Sequence, residues 1–551
     1  MKKTMITATA ALMLCGSPLQ AQQVKIGKSN IKLNQDTMTP EALWAMGRIG
    51  TIAASPDGKK IAYQVGYYSV EENKGHQILY VMDADGKNIK QLTTSDKNET
   101  DPSWLDNNTI AFLSGGQIWT TAVDGSKRSK LTSDKTDIEG FKFSPDRKKV
   151  IIIKSLPYYG SIKKNPSDLP KATGRLITDM NYRHWDHYVE SIPHPFVANV
   201  ASDGTIDEGT DVLKNEPYEC PMAPFGGIEQ IDWSKDSKFV AYTCRKKEGV
   251  KYAISTDADI YLYNVETHQT RNLCKDDADK ELLKEWAHAD STVDATKSMR
   301  NQSVDSKKFQ SLNVGYDVNP KFSPDGNYVA WQSMAHNGYE SDLNRLCIYD
   351  LRKHTKLYAT NAGNFDTNVD DYCWAPDSKS LYLTGVWHAT ERIWNVSVNG
   401  GTVRQITDDS YNDFGSIQML NGKQLLTTRH SMLHPDDIFI VTPSKKEKAS
   451  SVKQITDENK QIFDQLASAQ VEQRWVKTTD GKQELVWIIL PPHFDKTKKY
   501  PTLLYCEGGP QSPVSQFWSY RWNFSIMAAH GYVIVAPNRR GLPGFGSEWN
   551  E

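Results

Sequence analysis

The segment Ser55-Pro-Asp-Gly-Lys-Lys-Ile-Ala-Tyr63 decides the fold, because it is the clearest copy of a unit that recurs along the chain. Its proline fixes φ at the second turn position, its aspartate caps the turn backbone and its glycine accepts a positive φ, so the turn joins two antiparallel strands. The unit continues through Ile78-Leu-Tyr-Val-Met82 and the tight turn Asp83-Ala-Asp-Gly86, and it closes at the polar Lys90-Gln-Leu-Thr93. Each unit therefore predicts one small, twisted sheet.

Seven copies of this unit are recognisable, starting near residues 55, 104, 144, 234, 323, 375 and 420. Uninterrupted copies are 40 to 52 residues apart, which is typical of a four-stranded propeller blade. A solenoid is the alternative for any repeat, but a helical one would need apolar residues at a period of 3.6, and these segments alternate or are β-branched. The sequence predicts an all-β propeller of seven or eight blades over residues 51–457.

Two spacings of about 90 residues, from 144 to 234 and from 234 to 323, interrupt this rhythm and indicate blades with long insertions. The first insertion contains Asn181-Tyr-Arg-His-Trp-Asp-His-Tyr-Val-Glu190, whose aromatic and charged composition is typical of recognition loops. The second covers 275–312, where the spacing of Leu282, Leu283 and Trp286 predicts a short surface helix.

The composition excludes several classes of protein. The 551 residues carry 65 Lys and Arg against 67 Asp and Glu, and 38% of them are apolar, which is incompatible with a disordered or membrane-embedded chain. A net charge of −2 without a long basic run gives no electrostatic footprint for nucleic acid. There is no phosphate-binding G-x-x-x-x-G-K-[ST] motif, and we predict no cofactor.

The N-terminus is predicted to direct export. Lys2 and Lys3 precede a short apolar run and a small-residue stretch ending at Ala21, which is the pattern of a cleavable signal peptide over 1–21. A lipoprotein cleaved before Cys15 is the weaker alternative, because Leu14 stands where such sites have a small residue. No later segment is long and apolar enough to span a membrane, so we expect a periplasmic or secreted protein. The six later cysteines contain no C-x-x-C, and they are compatible with disulfides or with buried thiols.

The chain changes character near residue 470. Residues 22–50 are predicted to contain a short helix with Thr39 as N-cap and Pro40 at its first position, and 458–472 a linking helix. From 473 a hairpin is followed by the apolar segment 501–506, a Gly-rich loop, the helix 524–530 and a second apolar strand, 532–537. This order predicts the beginning of an open, mostly parallel α/β sheet, with both apolar strands buried.

Two motifs in this last part identify a family resemblance. Tyr500-Pro-Thr-Leu-Leu-Tyr-Cys-Glu-Gly-Gly-Pro510 and Val535-Ala-Pro-Asn-Arg-Arg-Gly-Leu-Pro-Gly-Phe-Gly546, together with the repeated turns, resemble the prolyl oligopeptidase superfamily (S9) of serine peptidases, within it most closely the exported bacterial dipeptidyl-peptidases. The resemblance implies a propeller followed by an α/β-hydrolase domain, of which 473–551 is the N-terminal, incomplete part. It also implies oligopeptide substrates admitted through the propeller, and a homodimer formed through the hydrolase domain.

The resemblance implies a catalytic Ser-Asp-His triad, and none of it is predicted within these 551 residues. No serine has glycine at both −2 and +2, as a nucleophile elbow requires. The family places its nucleophile about a hundred residues beyond the Gly-rich loop. We therefore expect the catalytic residues beyond Glu551, a chain that is part of a longer protein, and no activity from the 551 residues alone.

The resemblance also implies two kinds of binding residue. The loop Glu507, Gly508 and Gly509 stands where the family has an oxyanion-hole donor; Glu507 cannot donate as a carboxylate, so a backbone N–H of Gly508 or Gly509 is the better candidate. The glycines could instead serve only a tight turn. Dipeptidyl-peptidases hold the substrate α-amino group with acidic side chains, and the candidates are Glu216, Glu219, Asp186 and Glu190, with Arg183 for a carbonyl or carboxylate group.

Each of these binding residues has a plain structural alternative. The four carboxylates could belong to solvated loops, and Arg183 could simply pair with Asp186. A metal site at His184, His187, Glu190 and His194 is not predicted, because their aromatic neighbours favour packing and H-E-x-x-H is absent. The sequence thus predicts an exported serine exopeptidase that releases dipeptides from oligopeptides; the alternative is a non-catalytic propeller that binds peptides or an envelope partner.

Overall fold

The computed structural model describes residues 26–158, 162, 163, 171–173, 176, 177, 189–223, 225–276, 279, 282, 284, 313–338, 341–508 and 512–551. The predicted signal peptide, Arg183, Asp186 and Gly509 lie outside these residues, as do most of the loop 181–190 and of the helix expected within 275–312.

The repeated turn is organised by its serine as much as by its proline. Ser55 Oγ accepts the backbone N–H of Lys60 over 2.9 Å and donates to Asp57 Oδ1 over 2.8 Å. At Ser323 the same two hydrogen bonds measure 3.0 and 2.6 Å. One side chain thus ties the end of the first strand to the start of the second, which explains why the motif recurs with serine at its head.

The described part of the chain up to residue 454 contains seven four-stranded antiparallel sheets. The first sheet consists of β1 (Arg48–Ala54), β2 (Lys60–Ser69), β3 (Lys74–Asp83) and β4 (Lys90–Gln91), the second of β5 (Glu99–Trp104), β6 (Thr109–Ser114), β7 (Gln117–Ala122) and β8 (Ser129–Lys130), and the third of β9 (Ile138–Phe143), β10 (Lys149–Pro157), β13 (Ser191–Asn199) and β14 (Thr210–Asp211). The fourth sheet consists of β15 (Ile231–Trp233), β16 (Phe239–Cys244), β17 (Asp259–Asn264) and β18 (Thr270–Asn272), and the fifth of β19 (Asp317–Phe322), β20 (Tyr328–Ser333), β21 (Arg345–Asp350) and β22 (Thr355–Tyr358). The sixth sheet consists of β23 (Asp371–Trp374), β24 (Ser380–Trp387), β25 (Thr390–Ser397) and β26 (Arg404–Gln405), and the seventh of β27 (Asp413–Asn421), β28 (Gln424–Ser431), β29 (His434–Thr442) and β30 (Ser451–Gln454). The insertion in the third sheet contains the two short strands β11 (Ile162–Lys163) and β12 (Leu176–Ile177). This architecture agrees with the mostly β repeat predicted from the turns.

Apolar side chains join each sheet to the next, and the seventh to the first. Six clusters connect successive sheets around the described chain. A further cluster brings Ile61 and Tyr63 of β2 against Leu426 of β28, and the side chain of Gln418 accepts from Ala54 N over 3.0 Å and donates to Ile52 O over 2.9 Å. The sheets therefore form a closed ring, in which each sheet is built from one stretch of the chain.

The polar end of each repeat fastens the fourth strand to the third. In the first sheet the backbone N–H of Leu79 donates to Thr93 Oγ1 over 3.1 Å. Four further threonines accept the equivalent N–H in the second, fifth, sixth and seventh sheets: Thr132, Thr360, Thr407 and Thr456. In the fourth sheet Cys274 Sγ takes this place and accepts from Ile260 N over 3.2 Å.

The second domain contains the remaining four-stranded sheet. Its strands are β31 (Gln470–Lys477), β32 (Gln483–Leu490), β33 (Thr502–Leu504) and β34 (Val533–Pro537), in the order β31-β32-β34-β33. β34 pairs antiparallel with β32 and parallel with β33. The strand-helix-strand order expected from the sequence is present, although the described sheet has one parallel pair and two antiparallel pairs.

Two predictions near this domain are corrected. The helix expected over 458–472 is limited to Lys460–Phe463, because residues 470–472 pair with β32 and Ala467 N donates to Asp36 O over 2.6 Å, which diverts the chain from the helix. The strand expected to be buried within 501–506 lies at the sheet edge, where Leu504 is 63% exposed.

The helices of the described chain are short: α1 (Pro40–Ala45), α2 (Val250–Ile254), α3 (Lys460–Phe463), α4 (Phe524–Ala529) and α5 (Ser547–Asn550), with one 3-10 turn, Ile228–Gln230. The predicted N-cap is confirmed, since Thr39 Oγ1 accepts from Ala42 N over 3.2 Å. None of the described helices is both long enough and apolar enough to cross a bilayer. The six described cysteines form no disulfide bonds with one another.

Candidate active site

A cavity of about 770 Å³ lies between the sixth sheet of the ring and the second domain. The ring contributes the loop before β23 and the facing ends of β24 and β25. The second domain contributes the segments around 505–521 and Pro543. The lining residues are Thr367, Asn368, Asp370, Val386, Glu391, Tyr505, Glu507, Ser512, Pro513, Ser515, Phe517, Trp518, Ser519, Tyr520, Arg521 and Pro543.

The ring side of this cavity carries two carboxyl groups that repel each other when both are ionised. Asp370 is an exposed residue that lines the cavity, and desolvation of its carboxyl group, with the neighbouring charges of Asp413 and Asp371, raises its pKa to about 7. Burial, together with the charges of Asp370 and Asp413, raises the pKa of Glu391 well above its usual range. Two carboxyl groups in this arrangement are poised to accept a cation, because a positive charge favours the ionised form of both.

A second layer of charge lies behind these two groups. Asp413 is buried, and its Oδ1 accepts the backbone N–H of Glu391 over 2.8 Å. His430 stands between Asp413 and Asp436, with nitrogen–oxygen distances of 3.7 and 2.9 Å. Burial lowers the pKa of His430, but the two aspartates outweigh burial and raise it to about 10. The charged imidazolium therefore balances Asp413 and Asp436, and its charge also lowers the pKa of Glu391, but by less than burial, Asp370 and Asp413 raise it.

The second-domain side of the cavity is aromatic. Tyr505, Phe517, Trp518 and Tyr520 line it, and Tyr505 and Phe517 are held from behind by Phe524 of α4, at ring-centroid distances of 5.0 and 5.4 Å. An aromatic wall facing carboxyl groups forms an amphipathic site: one end binds a positive charge and the other binds apolar surface.

The Gly-rich loop lies at the edge of the same cavity. Glu507 lines it, and Glu507 and Gly508 also line an adjoining cavity of about 690 Å³. Gly508 does not have a positive φ, and a Cβ added there would meet no atom of the described residues within 4 Å. Within the described structure, nothing therefore requires glycine at position 508. The missing side chain instead leaves the backbone open to a ligand.

The loop 538–546 fixes the other edge of the cavity to the ring. The backbone N–H of His388, in the tight turn between β24 and β25, donates to Gly544 O over 2.9 Å. Asp366 accepts from Ser547 N over 3.0 Å. Gly544 has φ +91°, and a Cβ on it would lie 2.8 Å from Val386 Cγ1. Here glycine is required, by conformation and by close approach.

Three of the acidic residues chosen from the sequence, Glu190, Glu216 and Glu219, are described by the structure, and none of them lines this cavity. Glu216 forms an ion pair with Lys246 at 2.5 Å, and Glu219 is buried and accepts the hydroxyl of Tyr252. Glu190 is exposed at the start of β13. Asp186, Arg183 and Gly509 fall outside the described residues. Of the predicted site residues that the structure describes, Glu507 and Gly508 line the two cavities and Glu190, Glu216 and Glu219 do not.

Asp370 and Glu391 carried no signal in the sequence. They are 21 residues apart, in two segments that contain no recognisable motif, and only the pairing of β23, β24 and β25 brings them to one cavity. Their one distinguishing property is that they lie at strand ends of the sheet next to the second domain. That property can be recognised only when the arrangement of the sheets in the ring is known.

One further cluster has the ligand types of a metal site. Asp259, Cys274 and Asp317 are buried with their ligand atoms within 4.8 Å of one another. Their atoms already have partners: Lys275 Nζ lies 2.7 Å from Asp259, and Trp331 Nε1 and Asn313 Nδ2 donate to Asp317 over 2.7 and 2.8 Å. With a lysine ammonium inside the cluster and Cys274 in the threonine position of the repeat, these residues fit a structural network better than a cation.

Comparisons with known proteins agree on one family. The chain is 43% identical over 519 residues to dipeptidyl-peptidase 5 of Porphyromonas gingivalis, covering 93% of this chain and 69% of that protein. It is 37% identical over 557 aligned residues to dipeptidyl-peptidase 5 of Porphyromonas endodontalis, covering 100% of this chain and 74% of that protein. No family model matches the chain.

Solved structures support the fold. The acylaminoacyl peptidase of Pyrococcus horikoshii superposes with a TM-score of 0.65 at 15% identity, covering 93% of this chain and 68% of that chain. At this identity the likeness concerns the architecture alone.

Proposed function

Because the chain belongs to the S9 prolyl oligopeptidase family of serine peptidases, we propose that it acts as a dipeptidyl-peptidase, which removes two residues at a time from the free N-terminus of peptides. The observation that carries this proposal is the pair Asp370 and Glu391 on one side of the cavity, with the Glu507-Gly508 loop on the other.

In this proposal the two carboxylates hold the α-ammonium group of the substrate. An α-ammonium supplies three donors and one positive charge, and it would allow both Asp370 and Glu391 to ionise. A peptide with a blocked N-terminus lacks this charge and would leave the mutual repulsion of the two carboxylates uncompensated. The site would therefore select free N-termini and fix how far the peptide extends into the cavity.

On the opposite side, the backbone N–H of Gly508 is our candidate for an oxyanion-hole donor. Its open environment, without a side chain and without crowding, supports close approach of a substrate carbonyl group. The carboxylate of Glu507 cannot donate a hydrogen bond. We assign no nucleophile, general base or orienting acid to the described residues.

We also propose that the ring is a seven-bladed propeller that limits entry to oligopeptides, and that the protein is periplasmic or secreted. The seven sheets and their closure support the first proposal. The Lys-rich and then apolar N-terminal pattern supports the second.

The test compares matched substrates on two proteins: the 551-residue chain and the product of the complete open reading frame that encodes it. Each is assayed with a panel of dipeptidyl p-nitroanilides, with the same compounds N-acetylated, and with a fluorophosphonate label. We expect the complete product to be labelled and to cleave only substrates with a free amine. The 551-residue chain should bind dipeptides without being labelled. Equal cleavage of acetylated compounds would contradict the proposal.

Variants locate the amine site. Asp370→Asn and Glu391→Gln should each raise KM for free-amine substrates by about 10- to 100-fold, the effect of removing a charged hydrogen-bond partner. Glu216→Gln is the matched control, because it removes the same charge from a carboxylate outside the cavity. Binding of dipeptides by a complete product that neither cleaves nor is labelled would instead support the non-catalytic alternative.

A further inference from the structure

Arg48 occupies an unusual position between the ring and the second domain. It begins β1, and its guanidinium carbon lies 4.0 Å from the ring centroid of Tyr68 and 3.7 Å from that of Tyr520. Trp44 of α1 adds a third ring at 5.1 Å. Tyr68 belongs to β2, whereas Tyr520 belongs to the second domain and lines the cavity.

Stacking is the contact that holds this arginine within the described structure. Nε and Nη2 of Arg48 are buried and have no hydrogen-bond partner among the described residues. A guanidinium is planar and weakly hydrated, so it can remain between aromatic faces where an ammonium would demand water.

Tyr520 is held in the same way. Its hydroxyl group is buried, and the neighbouring side chain of Trp518, which meets Tyr520 edge to face at 6.1 Å, lowers the pKa of the phenol against the larger, raising effect of burial. Tyr520 is thus positioned by the face of Arg48 on one side and by Trp518 on the other. Arg48 therefore sets part of the aromatic wall without lining the cavity itself.

We infer that Arg48 is a positioning residue that determines, through Tyr520, how the cavity accepts the side chain of the substrate's first residue. The inference rests on the proposed function: with the α-ammonium at Asp370 and Glu391, that side chain is the group within reach of the aromatic wall. The class of substrate that depends on Arg48 is then peptides with a large apolar first residue. Peptides that begin with glycine do not touch the wall.

The test measures binding, so that it does not depend on turnover. Dissociation constants of the dipeptides Gly-Ala and Phe-Ala are measured by calorimetry for the wild type, Arg48→Met and Arg48→Lys. We expect Arg48→Met to weaken Phe-Ala by about tenfold and Gly-Ala by less than twofold, the size of one desolvated cation–π contact. Arg48→Lys keeps the positive charge but lacks the planar guanidinium group, and it should lose most of the same selectivity. It replaces Arg48→Met in the test if the methionine variant does not fold.

Two controls separate positioning from general destabilisation. Arg345→Met removes another stacked guanidinium, 3.9 Å from the ring of Tyr358 in the fifth sheet, and should leave the Phe-Ala to Gly-Ala ratio unchanged. Tyr520→Leu should reproduce the Arg48→Met selectivity, and the double variant should add nothing to it. An unchanged ratio in Arg48→Met and Arg48→Lys would overturn the inference. Failure of the wild type to bind either dipeptide would instead overturn the proposed function.

Discussion

The backbone N–H of His388 donates to the carbonyl oxygen of Gly544 over 2.9 Å, and this hydrogen bond joins the sixth sheet to the second domain beside the cavity. His388 and Ala389 both have positive φ, at 52° and 58°, in a two-residue turn that more often contains asparagine and glycine. The turn presents this N–H to the loop, and the rings of Trp387 and Phe545 stack on the His388 imidazole at 4.7 and 5.9 Å.

Gly544→Ala should disrupt the hydrogen bond between the N–H of His388 and the carbonyl oxygen of residue 544. The new methyl group would lie 2.8 Å from Val386 Cγ1 and would hold a φ of +91°, so we expect a loss of about 2 kcal/mol in the free energy of unfolding. Denaturant titration measures it. Gly508→Ala is the matched control, because its methyl group meets no atom of the described residues within 4 Å and its φ is not positive; equal losses in the two variants would contradict the distinction.

The pH dependence of the proposed activity should follow Asp370. This group has to be ionised to hold an α-ammonium, and its pKa in the free protein is raised to about 7. The value of kcat/KM for free-amine substrates should therefore fall as the pH decreases below about 7. It should fall again above about 8, where the substrate amine loses its proton. Asp370→Asn should lower the plateau and flatten the acidic limb; an unchanged acidic limb would show that another group governs it.

Glu216→Gln should leave binding intact. The carboxylate of Glu216 is occupied by Lys246 in a partly exposed ion pair outside the cavity, and such pairs contribute little, about 0–1 kcal/mol. We expect an unfolding free energy within 1 kcal/mol of the wild type and an unchanged KM. A large increase in KM would restore Glu216 as the amine ligand predicted from the sequence.

Asp437 should make stability depend on pH in a defined window. Burial raises its pKa to about 7, above the ordinary value of 3.8, although Thr456 Oγ1 donates to it over 2.7 Å. Between pH 4 and 7 the folded state therefore binds the proton that the unfolded state has lost, and this group's contribution to stability declines as the pH rises. The free energy of unfolding of Asp437→Asn should therefore rise relative to that of the wild type as the pH increases across this window. Unfolding curves at pH 4.5 and 7.5 measure the difference, and a constant difference would contradict the assignment.

Tyr520→Phe should be neutral or stabilising. The phenol oxygen is buried and makes no hydrogen bond of good geometry, its one polar neighbour in the described structure being the side chain of Trp518, so its removal relieves a poorly satisfied polar group while the ring still stacks on Arg48. We expect an increase of up to about 1 kcal/mol in the free energy of unfolding and an unchanged preference among dipeptides. A marked loss of stability would indicate that the hydroxyl group has a partner.

The repeat was predictable because its signals are local. The turn serines, such as Ser55 and Ser323, bond within their own six-residue stretches, and the threonine at the polar end of five of the sheets bonds to the adjacent strand. The linking helix was not predictable in its length, because a tertiary hydrogen bond from Ala467 to Asp36 competes with helix propagation.

The candidate site was predictable only in part, for a related reason. The Gly-rich loop carries its chemistry in consecutive residues, so Glu507 and Gly508 could be found from the sequence alone. Asp370 and Glu391 are significant because of the desolvation and the mutual repulsion that raise their pKa values, and neither property can be read from the residues beside them in the sequence.

The closure of the ring has a consequence for synthesis. The first sheet is complete at residue 91, but the apolar face of β2 meets its partner only when the seventh sheet, which starts at residue 413, has been made. At a synthesis rate of about 5–20 residues per second, roughly 15 to 65 s pass between completion of the first sheet and the start of the seventh, and Ile61 and Tyr63 remain uncovered during that time. The four described strands of this sheet all lie within residues 48–91, so the sheet forms early and its outer face must be shielded for that time. A nascent chain arrested before residue 413 should therefore be captured by chaperones through this face.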